Sequence, residues 1–135
     1  MVPDGFSPHF RNSPLTDPWE PIYSKRTDHS IILGLLASSQ HCNSRGFVHG
    51  GLISTLADNA MVLSCAFQHK PVTPVVTVDL KLNFIKAAQT GHWLQFDTQT
   101  VKTGRTLDFA QGQVFAGGKI CALMSATFKV IETRK

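Results

Sequence analysis

Between Gly50 and Gln68 the small and apolar residues Leu52, Ile53, Leu56, Ala57, Ala60, Met61, Leu63 and Ser64 recur at spacings of three and four. That period predicts a helix over 50–68. Gly50 and Gly51 stand where its first amides lack partners, and Pro71 and Pro74 follow as stop signals. Almost no face of the segment is polar, so the expectation is a helix buried on every side. Beyond it the period drops to two. In "VVTVDLKLNFIKA" the residues Val76, Val78, Leu80, Leu82 and Phe84 alternate with Thr77, Asp79, Lys81 and Asn83. "HWLQFDTQTVKT", "RTLDFAQGQVFA" and "KICALMSATFKVI" follow as further strands, punctuated at Thr90-Gly91, Thr103-Gly104 and Gly117-Gly118. Before the helix, "HSIILGLLASSQH" at 29–41 is apolar on both faces and predicts a buried strand. "CNSRG" after it is a polar turn cluster. A strand, an enclosed helix and four strands with short connections argue an α+β domain with an antiparallel β-sheet wrapped around the helix.

The first 28 residues differ. They hold Pro3, Pro8, Pro14, Pro18 and Pro21, which is five of the seven prolines. Proline removes donors and restricts its neighbours. The expectation is an extended arm over 1–28, with one short helical turn in "PLTDPWEP" and with Phe10 and Trp19 packed on the body. Residues 29–135 then form a single domain, in keeping with the chain's length.

Composition narrows the partners. Charged residues are only 16% against 42% hydrophobic, which hints that another subunit covers some apolar surface. The net charge of +4 is spread along the chain without a basic run, so no nucleic-acid partner is expected. A mildly basic surface suits an acidic small molecule. Cys42, Cys65 and Cys121 are odd in number and far apart, as expected of reduced thiols in a cytoplasmic protein. Asp4 and three prolines interrupt residues 1–14, unlike a signal peptide. The run "IILGLLA" is too short to span a bilayer, so no membrane partner is expected.

Asp58 is the odd residue of the predicted helix. A buried carboxylate costs several kcal/mol unless it is paired or used. It either faces a polar pocket or caps a neighbouring element, or else it is a general base or nucleophile. The free amides of Gly50 and Gly51 make a ready oxyanion site, aided by the helix dipole. Asp58 lies eight residues beyond Gly50, roughly 12 Å along the axis. Both must reach one carbonyl within about 3 Å, which one chain cannot readily arrange. Two antiparallel helices can, if the start of each approaches the middle of the other. The spacing thus predicts a two-fold homodimer with shared active sites, open to pairing again as a dimer of dimers.

The segment "CNSRGFVHGGLISTLADNAM" resembles the signature of hotdog-fold acyl-CoA thioesterases of the phenylacetate-pathway (PaaI-type) branch. "VDLKLNFIKAA" and "GRTLDFAQGQVFAGGKICALMSATFKV" extend the resemblance to about Ile31–Ile131. It implies a hotdog fold and hydrolysis of an acyl-CoA thioester carrying a small aryl or short to medium acyl group. It further implies that Asn43 and the Gly50 amide polarise the thioester carbonyl and that His49 orients the site. Asp58 of the other subunit would be base or nucleophile, and Thr77 would orient the attacking water. Lys102 and Arg105 are candidates for the coenzyme A phosphates, or else solvated turn charges. Thiolate leaves without strong protonation, so the reaction requires no metal or cofactor. His41, Cys42 and His49 lack the paired spacing of a zinc site. Singly, each residue has a plainer reading: His49 as a capping residue, Asn43 as a turn former, the glycines as close packing. The rival functions are a non-catalytic acyl-CoA-binding protein and a hydratase or dehydratase of the same fold.

Overall fold

The computed structural model describes residues 1–131, so 132–135 of the expected domain lie outside the described residues. The strands are β1 (Ser7–Pro8), β2 (Tyr23–Arg26), β3 (Ile31–Leu36), β4 (Val75–Phe84), β5 (Trp93–Thr103), β6 (Leu107–Ala116) and β7 (Lys119–Val130). The helix α1 (Gly50–Gln68) falls between β3 and β4. All strands join one seven-stranded sheet in the order β1-β2-β3-β5-β6-β7-β4, with every pairing antiparallel. The crossover through α1 therefore carries the chain from β3 to the far edge, where, among the described residues, β4 pairs with β7 alone. The sheet wraps α1, as the alternation predicted.

Packing follows from residue size. Ala57 and Ala60 are fully buried, and their short side chains let the helix approach the sheet. Leu56 and Met61 then interdigitate with Leu33, Leu35, Phe96, Val114 and Phe128 in one core. Ser64 on the same face is satisfied, because its hydroxyl accepts from the Ile31 amide at 3.0 Å and donates to the Ile31 carbonyl at 3.3 Å. By length and composition α1 could cross a bilayer, yet over half of it is buried inside the fold.

Several expectations are corrected. The strand expected over 29–41 is only Ile31–Leu36, followed by a 3-10 turn at Ser39–His41. Ser38 ends the strand because its side chain and amide form a reciprocal cap with His41. The helix is not enclosed on every side. Gly51, Thr55, Asp58 and Val62 form a stripe at spacings of three and four that stays partly or fully exposed, since the sheet wraps only the opposite side. The alternation on β4 is also broken, by a bulge between Thr77 and Asp79. Thr77 pairs with the buried Phe128 and Leu80 with the buried Ala126, whereas Asp79 pairs with the outward Thr127. The extra residue, Val78, puts Thr77 on the same face as Leu80, not the opposite one.

Within 1–28, the expected helical turn is the 3-10 helix Asp17–Trp19. Trp19 packs half-buried on the core, while Phe10 stays 56% exposed. β2 pairs with β3 from Tyr23 to Arg26, and Ile22 is part of the core.

Candidate active site

The bulge decides where the acid finds a partner. With Thr77 on the α1 side of β4, though still exposed, its hydroxyl donates to Asp58 Oδ1 at 2.7 Å. Asp58 is half-buried and its second oxygen takes no hydrogen bond from the described residues, so it is free to accept a proton. The side chain is therefore neither the deeply buried charge expected nor a solvated surface acid. A carboxylate held by one donor beside an open stripe has the arrangement of a general base.

The start of α1 is built by the preceding loop. Asn43 Oδ1 accepts from the Arg45 amide at 2.9 Å and the Phe47 amide at 3.2 Å. These bonds close an Asx-type turn and aim the exposed side chain. Its Nδ2 donates to no described residue. Cys42 bridges Val48, and the His49 amide donates to the His41 carbonyl at 3.1 Å, which fixes the chain entering the helix. His49 is the N-cap residue but gives no side-chain cap, so the first amides of α1, from Gly50 and Gly51, are left open. The Phe84 ring lies over Gly50: a Cβ there would meet Cζ at 3.3 Å. His49, Gly51 and Thr55 line a surface pocket of about 350 Å³ with Trp19 and His41.

The structure thus brings Asp58 and Thr77 together and gathers Asn43, His49, Gly50 and Gly51 at the helix start. It does not bring the two groups together within one chain. Lys102 and Arg105 belong to neither group. They sit exposed at the β5–β6 hairpin, which is tied to the residue following the other end of α1 by a pair that the sequence reading missed. Asp108 is fully buried. Its Oδ1 accepts from the Gly104 amide at 3.0 Å and its Oδ2 from His69 Nε2 at 2.7 Å. The available signal was a lone acid on an otherwise small and apolar alternating face: Asp108, Ala110, Gly112, Val114, Ala116.

The thiols stand apart from this chemistry. Burial, with the Asp108 charge added, pushes the Cys65 thiol up to about 12. Burial also raises Cys121. Only thiolate reacts readily, and Cys42 is the half-buried one of the three. Titration of the native protein at pH 8 with an aromatic disulfide is expected to show one fast thiol. Cys42→Ser should abolish it, and the other two should appear only on unfolding. A fast Cys65 would contradict this packing.

The family described as Thioesterase superfamily matches residues 45–122. A Pseudomonas aeruginosa protein named as an esterase is 38% identical over 128 residues, covering 94% of this chain and 96% of that one. Human acyl-coenzyme A thioesterase 13 is 30% identical over 99 residues, 66% of this chain and 69% of its own. A Streptococcus mutans protein solved bound to acetyl CoA superposes with a TM-score of 0.71 at 27% identity, covering 79% of this chain and 85% of that one.

Proposed function

The chain belongs to the thioesterase superfamily, with the hotdog fold and a thioester hydrolase's relatives, and from that premise we propose that it hydrolyses acyl-CoA thioesters using water activated by Asp58. The substrate is the coenzyme A ester of a small aryl or short to medium acyl group, and the products are the free acid and coenzyme A. The observation that carries this reading is the Asp58–Thr77 hydrogen bond of 2.7 Å on the uncovered stripe of α1. Names among the relatives support the substrate class, since the human relative is called an acyl-coenzyme A thioesterase and the Streptococcus mutans structure holds acetyl CoA.

Two protomers complete the site. The stripe of Gly51, Thr55 and Asp58 is uncovered in one chain. β4 beside it has an unpaired edge and exposes Val78 at 60% and Phe84 at 53%. A long apolar edge is a pairing surface. Pairing there about a two-fold axis sets α1 antiparallel to its copy. Asp58 then faces the partner subunit's Asn43, Gly50 and Gly51, and the hairpin of Lys102 and Arg105 reaches toward the same site. The partner subunit's Asn43 Nδ2 and its amides at Gly50 and Gly51 hold the thioester carbonyl, and His49 orients that end. Thr77 positions the water, and Asp58 takes its proton as it attacks. Charge gathers on the carbonyl oxygen, where preorganised donors act most strongly. Collapse expels the thiolate of coenzyme A, whose phosphates Lys102 and Arg105 screen. An acyl-CoA substrate and three free cysteines support a cytoplasmic location.

Thiol release from a panel of acyl-CoA esters tests this reading. Release from none of them would refute it. Asn43→Ala is expected to lower kcat by roughly 10- to 1000-fold, the range for one oxyanion donor. A raised KM at unchanged kcat would instead make Asn43 a uniform binding group. Thr77→Val, which keeps the shape and removes the hydroxyl, is expected to lower turnover by about tenfold, the lower end for a hydrogen bond to a charged group. Wild-type turnover in Thr77→Val would remove Thr77 from the mechanism.

A further inference from the structure

The N-terminal segment does more than lean on the sheet. His9, Arg11, Asn12, Ser13 and Thr16 of the arm line one side of a cavity of about 150 Å³ against α1. Its floor is apolar: Ile22, Leu33, Leu56 and Leu63 are each buried to within 4%. Asn59 and Val62 of α1 line it too. They flank Asp58 on the helix, Val62 one turn further along, and residues so spaced stand about 5–6 Å apart at Cβ. One side of the cavity therefore adjoins the helix position that carries the carboxylate, and the other lies against the arm.

We infer that this cavity is the acyl pocket and that the arm, through residues such as Asn12, limits the length of the acyl group. The inference rests on the acyl-CoA reading above. Three observations select an acyl or aryl occupant. The floor offers only hydrocarbon, and the polar lining comes from the arm and Asn59. The volume matches an apolar cavity of about 150 Å³ that takes up benzene, so about six carbons fit. Its wall of Asn59 and Val62 also adjoins Asp58 on α1, beside which the thioester must lie. His9 at the rim keeps Nδ1 buried without a partner, and burial, then the Arg11 charge, lowers its pKa. The arm is pinned as a wall should be. The Trp19 carbonyl accepts from His41 Nε2 at 2.9 Å, and the Glu20 carbonyl accepts from Gln40 at 3.1 Å.

The test fills the cavity from both sides, with Val62→Phe from the helix and Asn12→Phe from the exposed arm position, where folding is not at risk. Two ratios are measured in each: kcat/KM for hexanoyl-CoA over acetyl-CoA, and affinity for S-hexyl-CoA over S-methyl-CoA, thioethers that cannot be hydrolysed. Each methylene buried contributes roughly a fourfold preference. Both ratios are expected to fall at least tenfold in each variant. Wild-type ratios in folded Asn12→Phe and Val62→Phe would overturn the inference while leaving hydrolysis intact. Absence of thiol release from every ester would instead refute the acyl-CoA hydrolase reading, and the thioether ratios would still decide whether this cavity holds the acyl chain.

Discussion

Asp58→Asn is expected to lose about 100-fold or more of thiol release, the usual consequence of removing a general base or nucleophile, while the protein stays folded. The amide has the shape of the carboxylate and can still accept from the Thr77 hydroxyl, which now bonds Oδ1 at 2.7 Å. What it cannot do is take a proton from water. Asp58 is only half-buried on the open stripe, so its neutralisation should change stability little. The effect should fall on kcat and kcat/KM alike, because the group acts in the transition state. Steady-state thiol release beside a thermal unfolding curve measures both. Near wild-type turnover in a folded Asp58→Asn protein would reject the assignment.

Asp108→Ala should do the reverse, damaging stability before chemistry. Asp108 is fully buried, and it alone accepts from both His69 Nε2 and the Gly104 amide. Its removal leaves the partly buried His69 Nε2 and Gly104 amide without their acceptor. Breaking such a pair costs about 3 kcal/mol, on the order of 10 °C in Tm for a domain of this size. Asp108→Asn retains an acceptor for Gly104 and should lose less. Urea unfolding of the two variants checks the order. An Asp108→Ala protein as stable as wild type would mean that the pair does not hold the β5–β6 hairpin to the end of α1.

The sequence carried the fold where periodicity was strong. The helical spacing from Leu52 to Ser64 and the turn pairs at Thr103-Gly104 and Gly117-Gly118 located α1 and the β5–β6–β7 meander closely. It was silent where one residue changes a face. Nothing in "VVTVDL" announces the bulge at Val78, since a bulge is settled by what β7 offers across the ladder. Strict alternation therefore turned Thr77 away from the helix. The uncovered stripe was misread for a related reason. Gly51, Thr55 and Val62 are small or apolar whether they face a sheet of their own chain or a second subunit, so composition predicted burial without saying by what. Asp58 was legible because it is the lone acid of its helix. Asp108 was equally lone on its strand face, but β6 carries Gln111 and Gln113 on the other face, and these polar neighbours mask the pattern.

The central claim is that the acid and the carbonyl-holding amides of one site come from two chains. Its most direct measurement is complementation in a mixed dimer. One chain carries Asp58→Ala and the other Asn43→Ala, each nearly inactive as a homodimer. In the mixed dimer one site receives both defects and the other receives neither. Isolated by two different affinity tags, it is expected to regain about half of wild-type turnover, one sound site in two. A folded mixed dimer no more active than its parents would mean that the site is built within one chain, and would contradict the account.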